Sequence, residues 1–138
     1  MEKYIHRVQY YETDKMGFTH HSNYVRWMEE ARVDLLSQIG YDYARLEEMG
    51  IVSPVTAVAC RYRASTSFPD EVTVAVAVKE LKGVRLTLDY EMVREADGKL
   101  VCTAESEHCF MDREGRVISL KREYPDFYNA LLALSPGE

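Results

Sequence analysis

The spacing of apolar residues predicts one long helix early in the chain. Residues 4–10 alternate between apolar and polar, as in a strand, and the loop that follows has little periodicity. Further along, apolar side chains recur every three or four residues and form one stripe of a helix. That stripe consists of Tyr24, Trp27, Met28, Ala31, Leu35 and Leu36. The helix is predicted to begin at Ser22 or Asn23, which are both good N-cap residues, and to end before Gly40.

The rest of the chain shows mainly the period of two that is typical of strands. Strands are predicted over residues 55–66, 70–81, 85–94 and 100–111. The sequence Ala-Asp-Gly-Lys at 96–99 is a hairpin signal between the last two strands. Shorter helices are predicted over 43–49 and 123–134. One long helix beside a run of antiparallel strands indicates a single α+β domain over 1–138, with the helix covering one face of the sheet.

Composition and charge limit the kinds of partner that the protein is expected to have. The 138 residues suit one domain, 46% of them are hydrophobic, and the formal net charge is −6. A domain of this size leaves much of its surface exposed, which is compatible with self-association. A nucleic-acid partner would need a basic face, and the sequence has no run of basic residues. No nucleic-acid partner is therefore expected.

The chain shows no pattern for a membrane span or a metal site. No stretch approaches the roughly 20 apolar residues that a span needs, and the first residues carry no apolar run of signal-peptide length. A cytoplasmic protein without a membrane partner is therefore expected. Adjacent histidines at His20 and His21 cannot easily direct both rings at one ion, so no metal is expected. The cysteines have no metal spacing and are expected to be reduced thiols in or near the sheet: Cys60, Cys102 and Cys109.

The loop before the long helix carries an acid and two histidines. Asp14 precedes His21 by seven residues, and the predicted helix follows at once. A helix N-terminus offers unpaired N–H groups that can stabilise negative charge developing on a carbonyl oxygen. A carboxylate within reach could attack that carbonyl carbon or activate a water molecule. From spacing alone, a turn-forming aspartate beside solvated histidines is the simpler explanation. Of the other histidines, His6 is expected to be solvated and His108 to be structural.

Residues 11–32, which read YETDKMGFTHHSNYVRWMEEAR, resemble the hallmark of the hotdog-fold acyl-CoA thioesterases. The resemblance is to the 4-hydroxybenzoyl-CoA thioesterase family. Asp14 matches the catalytic acid of that family, and His21 falls at its common histidine. Asn23-Tyr24 matches the family's Asn-Tyr pair, and Glu30-Ala31-Arg32 matches its helix signature. The order of strand, helix and further strands agrees over nearly the whole chain.

This resemblance implies a hotdog fold, in which a curved antiparallel sheet wraps around the long helix. It implies hydrolysis of a thioester to a carboxylic acid and CoA, with Asp14 as nucleophile or general base. The backbone N–H groups near His21 would bind the developing oxyanion. Glu12 and Lys15-Met16 depart from the family pattern, which predicts a loop of different shape. Substrate contacts are assigned to Tyr11, Asn23 and Tyr24, although a place in the helix core is the simpler explanation for Tyr24.

Two arginines on a later predicted strand are candidates for contact with the phosphates of CoA. Arg61 and Arg63 share one face of that strand, while Tyr62 lies on the other face. The guanidinium group is suited to phosphate. A solvated strand face or an ion pair between subunits would explain the same two residues.

The resemblance also sets expectations for partners and leaves two alternatives open. Sites of this family form at a dimer interface, so a homodimer or homotetramer is implied. No cofactor is expected, because CoA is part of the substrate. One alternative is an acyl carrier protein thioesterase, and the other is a non-catalytic acyl-CoA-binding or assembly module on the same fold. Asp14 and free helix N–H groups in an open site would favour catalysis over the binding module.

Overall fold

The computed structural model describes residues 2–135 and contains five strands and four helices in that range. The strands are β1 (Tyr4–Arg7), β2 (Val55–Tyr62), β3 (Glu71–Lys82), β4 (Arg85–Arg94) and β5 (Lys99–Cys109). The helices are α1 (Ser22–Gln38), α2 (Tyr43–Met49), α3 (Leu120–Glu123) and α4 (Pro125–Leu132). The two ends of the predicted domain, Met1 and 136–138, lie outside the described residues.

The five strands form one antiparallel sheet in the order β1-β3-β4-β5-β2. β2 is an edge strand, because only β5 pairs with it among the described residues. Bulges interrupt the register in β2, β3 and β5, and bulges bend the strands that carry them. The predicted α+β hotdog architecture, an antiparallel sheet with one long helix, is confirmed.

α1 packs its apolar stripe against the sheet and contacts β1, β2 and β3. Its buried apolar residues are Tyr24, Trp27, Met28, Ala31 and Leu35. The facing side chains of β3 and β4 alternate between buried and exposed, as a sheet with one covered face requires. The long helix therefore covers one face of the sheet.

The ends of several elements differ from the sequence-based prediction. β1 ends at Arg7 because the chain turns into a short 3-10 helix at Tyr10–Glu12. The predicted terminal helix is divided, since Pro125 disfavours helical backbone at Tyr124, which has φ −138° and ψ 64°. α1 begins at Ser22 as predicted, but its N-cap residue is His21.

The three cysteines are free thiols on β2 and β5, in agreement with the prediction: Cys60, Cys102 and Cys109. No helix within residues 2–135 combines the length and apolar character needed to cross a membrane.

Candidate active site

Asp14 forms a tight turn through its own side chain. Its Oδ1 accepts hydrogen bonds from the N–H groups of Met16 at 2.9 Å and Phe18 at 3.3 Å. The backbone closes the same turn, since Asp14 N–H donates to the Phe18 carbonyl at 2.8 Å. Gly17 has a φ of +85°, a conformation that side-chain-bearing residues rarely adopt. Oδ1 is therefore held in place, while Oδ2 has no partner within the described chain.

The same turn occurs a second time, around Asp112. There Oδ1 accepts from the N–H groups of Glu114 and Arg116, and Gly115 also has a φ of +85°. The turn around Asp112 precedes no long helix. The turn by itself therefore needs no catalytic role, which agrees with the simpler interpretation of Asp14 as a turn-forming residue. What distinguishes the first copy is the helix N-terminus that follows it.

The N-terminus of α1 presents backbone donors beside this turn. His20 Nδ1 accepts from the Ser22 N–H at 3.2 Å, so the His20 ring takes the place of the usual capping side chain. The His20 and His21 rings stack with centroids 4.2 Å apart. Within the described residues, the N–H of His21 has no acceptor. An unsatisfied donor at a helix start is suited to a carbonyl oxygen that gains negative charge.

Glu12 connects the Asp14 turn to α1 through both its backbone and its side chain. Its carbonyl accepts from the His20 N–H at 2.8 Å and from Asn23 Nδ2 at 2.9 Å. Its carboxylate is buried, with Oε2 accepting from the Trp27 indole N–H at 2.9 Å. The Gln9 N–H donates to Oε1 at 2.8 Å. In the sequence Glu12 stands out only as a departure from the family pattern, whereas in the structure it anchors the loop.

His6 lies between two carboxylates, so the expectation that it is solvated is wrong. Its Nε2 is 2.8 Å from Glu12 Oε1, and its Nδ1 is 2.9 Å from Glu30 Oε1. Both nitrogens can donate at once only when the ring carries both protons. The ring also packs on Trp27 with centroids 4.6 Å apart. His6 therefore joins β1, the Asp14 loop and α1 in one network.

The electrostatics of this network favour an ionised Glu12. Burial acts to raise the pKa of its carboxyl, but hydrogen bonds from Gln9, His6 and Trp27 outweigh that effect. The pKa of Glu12 is consequently lowered from its ordinary value of 4.5. A buried carboxylate with this many donors is a stable support for the adjoining loop.

Tyr62, at the end of β2, is a site residue that the sequence analysis did not assign. Its hydroxyl donates to the His21 carbonyl at 3.1 Å, and its ring meets the His21 and Tyr24 rings edge-on. Burial, with Cys60 nearby, raises the pKa of Tyr62 to about 12, so the phenol keeps its proton. The alternation of β2 places Tyr62 opposite to Arg61, on the face that Cys60 presents to Met28. That apolar face was the signal for a residue directed toward the helix.

Two predicted substrate residues are buried and make internal contacts. Asn23 is tied to the Glu12 and His20 carbonyls. The Tyr24 hydroxyl lies 2.9 Å from Thr66 Oγ1, and only 3% of the residue is exposed. Both residues position the start of α1, and both have little exposed surface with which to contact a ligand.

The other predicted substrate residues are exposed. Tyr11 is 81% exposed, beside the Asp14 turn. Arg61 ends β2 together with Tyr62, and Arg63 follows the strand, where its N–H donates to the Val101 carbonyl. Neither arginine side chain forms a salt bridge with any residue in 2–135. These two arginines directly precede and follow Tyr62, the residue whose hydroxyl contacts His21.

These residues supply a fixed carboxylate and a backbone donor seven positions apart, and two arginines flank Tyr62 in the sequence. Asp14 supplies a carboxylate oxygen without a partner, and His21 supplies the donor at the start of α1. Such a pair suits attack on a carbonyl carbon while its oxygen is stabilised. No group of three or more histidine, cysteine, aspartate or glutamate side chains suited to a metal ion is present among residues 2–135.

Comparison with known proteins defines the family. Residues 8–133 match the model of the thioesterase-like superfamily. A Bacillus subtilis protein named "Putative acyl-CoA thioesterase" is 31% identical over 124 residues, which cover 89% of this chain and 89% of that protein. The structure of a DHNA-CoA thioesterase from Staphylococcus aureus superposes with a TM-score of 0.88 at 35% identity. That superposition covers 95% of this chain and 88% of the Staphylococcus chain.

The chain belongs to the thioesterase-like superfamily. The family resemblance read from residues 11–32 is thereby confirmed.

Proposed function

We propose that this protein hydrolyses acyl-CoA thioesters, with Asp14 as the catalytic carboxylate and the His21 N–H as an oxyanion donor. The observation that carries the proposal is the fixed Asp14 turn directly before a helix whose N-cap residue, His21, has an N–H without an acceptor in the described chain. The second such turn, at Asp112, has no helix start behind it, so the two features coincide only at Asp14 in the described chain.

The predicted enzyme class, a thioester hydrolase, is confirmed by the family match and by the names of the relatives. Those names specify CoA as the carrier, which supports CoA over an acyl carrier protein. The exposed Arg61 and Arg63 add chemistry suited to the CoA phosphates. No cofactor is part of the proposal, because CoA arrives with the substrate.

The reaction follows from the two groups. The thioester carbonyl oxygen accepts a hydrogen bond from the His21 N–H. This hydrogen bond becomes stronger as negative charge develops on the oxygen. Asp14 either attacks the carbonyl carbon or removes a proton from a water molecule that does so. In either route the carbon–sulfur bond breaks and CoA leaves as a thiol after protonation. When water attacks, the carboxylic acid forms directly. When Asp14 attacks, the acyl group stays on Asp14 as a mixed anhydride, and a water molecule then hydrolyses it to the carboxylic acid and free Asp14.

We also propose that a second copy of the chain covers this surface. The edge strand β2 exposes Val55, Val58 and Tyr62 at 48%, 43% and 48%. Beside the Asp14 turn, Met16 and Phe18 are 74% and 47% exposed. An apolar surface of this kind is typical of an interface. A homodimer or a homotetramer would bury it and enclose the Asp14 site.

The function is tested by measuring free CoA released from a panel of short, long and aromatic acyl-CoAs. The CoA is quantified by chromatography, because the free thiols of Cys60, Cys102 and Cys109 react with colour reagents. Saturable hydrolysis of at least one acyl-CoA is expected.

The alternatives are separated by offering the same acyl groups on an acyl carrier protein. A higher kcat/KM on the CoA esters supports the proposal, and a higher kcat/KM on the carrier-bound esters contradicts the choice of CoA. Acyl-CoA binding without turnover by the folded protein would contradict hydrolysis and support a binding module.

A further inference from the structure

A cavity of about 630 Å³ lies among the C-terminal half of α1, α2, α4 and the adjoining ends of β4 and β5. This volume is in the range of pockets that hold small organic ligands. On α1 the lining begins at Glu29, which is about 12 Å along the helix from His21 at 1.5 Å per residue. Its apolar lining includes Leu36, Leu46, Ile51, Leu86, Leu88 and Phe110. The cavity is thus separate from the surface around Asp14.

A chain of hydrogen bonds runs along one side of this cavity. Arg32 Nη1 donates to the Tyr90 hydroxyl oxygen at 3.2 Å. The Tyr90 and Ser106 hydroxyl oxygens are 2.6 Å apart, and Ser106 Oγ is 2.7 Å from His108 Nε2. Arginine can only donate, so the direction of the chain starts at Arg32.

The direction of this chain fixes the proton on His108. If Tyr90 donates to Ser106 and Ser106 donates to His108 Nε2, each hydroxyl proton has an acceptor. In the reverse direction the buried Tyr90 proton has none, which is costly. Burial also lowers the pKa of His108 to about 4, so the ring is neutral. The single ring proton therefore resides on Nδ1.

His108 Nδ1 is a buried donor without a partner. The residue is 1% exposed and lines the cavity. Among residues 2–135, Nδ1 is one of only two buried side-chain polar atoms that have no hydrogen-bond partner. Buried polar atoms are nearly always paired, so this donor needs an acceptor that the described chain does not supply, and the cavity that His108 lines is the candidate source.

Arg32, at the other end of the hydrogen-bond chain, has only a weak ion-pair partner for its positive charge. Arg32 lines the same cavity, and its side chain is 17% exposed. Its nearest carboxylate, Glu29, is 4.0 Å away and 71% exposed, which makes a weak ion pair. The other basic lining residue, Arg113, already donates to the Glu47 carbonyl. Arg32 therefore favours an anionic head on the ligand over a neutral one.

We propose that this cavity binds a small carboxylic acid whose apolar body fills the lining. One carboxylate oxygen accepts from His108 Nδ1–H, and the positive charge of Arg32 stabilises the anion. The proposal rests on the cavity alone and does not depend on hydrolysis at Asp14.

The direct test is calorimetric titration of the wild-type protein with octanoate and, separately, with 1-octanol. The two probes share an apolar chain and differ in the charged acceptor. Octanoate is expected to bind one site per chain at least about tenfold more tightly than 1-octanol, the difference that one charge-assisted hydrogen bond provides. Equal affinity for the two probes, or no binding of octanoate by the folded protein, would overturn the proposal.

Two variants of His108 sharpen the test. His108→Gln keeps a polar group near Nε2 for Ser106 and removes the donor at Nδ1, so octanoate affinity should fall about tenfold. His108→Asn keeps an amide donor near Nδ1 and should bind octanoate more tightly than His108→Gln. Asp14→Asn should bind octanoate as the wild type does. A loss of octanoate binding in Asp14→Asn, with binding retained in folded His108→Gln, would place the acid at the Asp14 site and contradict the proposal.

Discussion

At the scale of single residues, the position of Asp14 depends on neighbours that are themselves buried, such as Glu12 and Trp27. Glu12 holds the loop through its carbonyl, its carboxylate and its contact with His6. Trp27, fifteen positions later in the chain, completes the support from α1. Sequence spacing indicated Asp14 as an acid before a helix, but it could not indicate Glu12, because the partners of a buried acid come from distant positions.

Replacing Glu12 with Gln is expected to lower the free energy of unfolding by about 2 kcal/mol at pH 7. An amide cannot accept from Gln9, His6 and Trp27 as a carboxylate does, and hydrogen bonds to charged groups contribute about 1.5–3 kcal/mol. Urea unfolding measures the loss. Glu48→Gln removes an exposed carboxylate and should change stability by less than about 0.5 kcal/mol.

The effect of Glu12 should also depend on pH. Its pKa is lower in the folded protein than its ordinary value of 4.5, so its ionised form contributes stability above that value. This contribution is lost as the pH falls through the lowered pKa. The difference in unfolding free energy between wild type and Glu12→Gln should therefore shrink below about pH 4.5. A difference that stays constant from pH 7 to pH 3 would show that the charge of Glu12 is not the stabilising feature.

At the scale of elements, periodicity predicted the interiors of helices and strands better than their ends. β4 agrees with its predicted range, and α1 begins at the expected residue. The end of β1 was missed because the local turn at Tyr10–Glu12 is set by Glu12 contacts and not by alternation. Alternation also separated Tyr62 from Arg61 correctly, but it could not reveal that the Tyr62 hydroxyl reaches the His21 carbonyl.

The junction between the Asp14 loop and α1 is tested by Asn23→Asp. Asn23 donates to the Glu12 and His20 carbonyls, and a carboxylate would face those two acceptors without a donor. Stability should fall by about 1–3 kcal/mol, and kcat should fall as the Asp14 turn shifts. The measurements are urea unfolding and CoA release.

Asn129→Asp is the matched control, because Asn129 is exposed on α4. It makes the same chemical change far from the junction and should leave kcat near that of the wild type. If Asn23→Asp and Asn129→Asp behave alike, the junction does not position Asp14.

At the scale of the whole molecule, the edge strand β2 and the surface around the Asp14 turn both expose apolar side chains. β2 is an edge strand with Val55, Val58 and Tyr62 exposed, and the Asp14 turn adds Met16 and Phe18. A sequence can show that β2 is apolar, but only the strand order shows that β2 lies at an edge. The proposed self-association through β2 would cover both apolar surfaces.

Val58→Lys is expected to lower the oligomeric mass at least twofold, because a lysine at an apolar interface must be desolvated. Val84→Lys is the matched control, since Val58 and Val84 are both 43% exposed and Val84 lies at the β3–β4 turn. Light scattering after size exclusion measures the mass, and CoA release measures the activity. Wild-type mass for Val58→Lys would place the interface elsewhere.

The central claim is that Asp14 is catalytic and not only a turn residue, and one pair of variants tests it most directly. Asp14→Asn and Asp112→Asn make the same change in two copies of the same turn, and an asparagine Oδ1 can still accept the turn hydrogen bonds. CoA release is measured for both, with the oligomeric mass and unfolding free energy of each. Asp14→Asn should lose kcat by about 10³-fold, the effect of removing a general base, while Asp112→Asn stays near the wild type. Folded Asp14→Asn with kcat within about tenfold of the wild type would contradict the account.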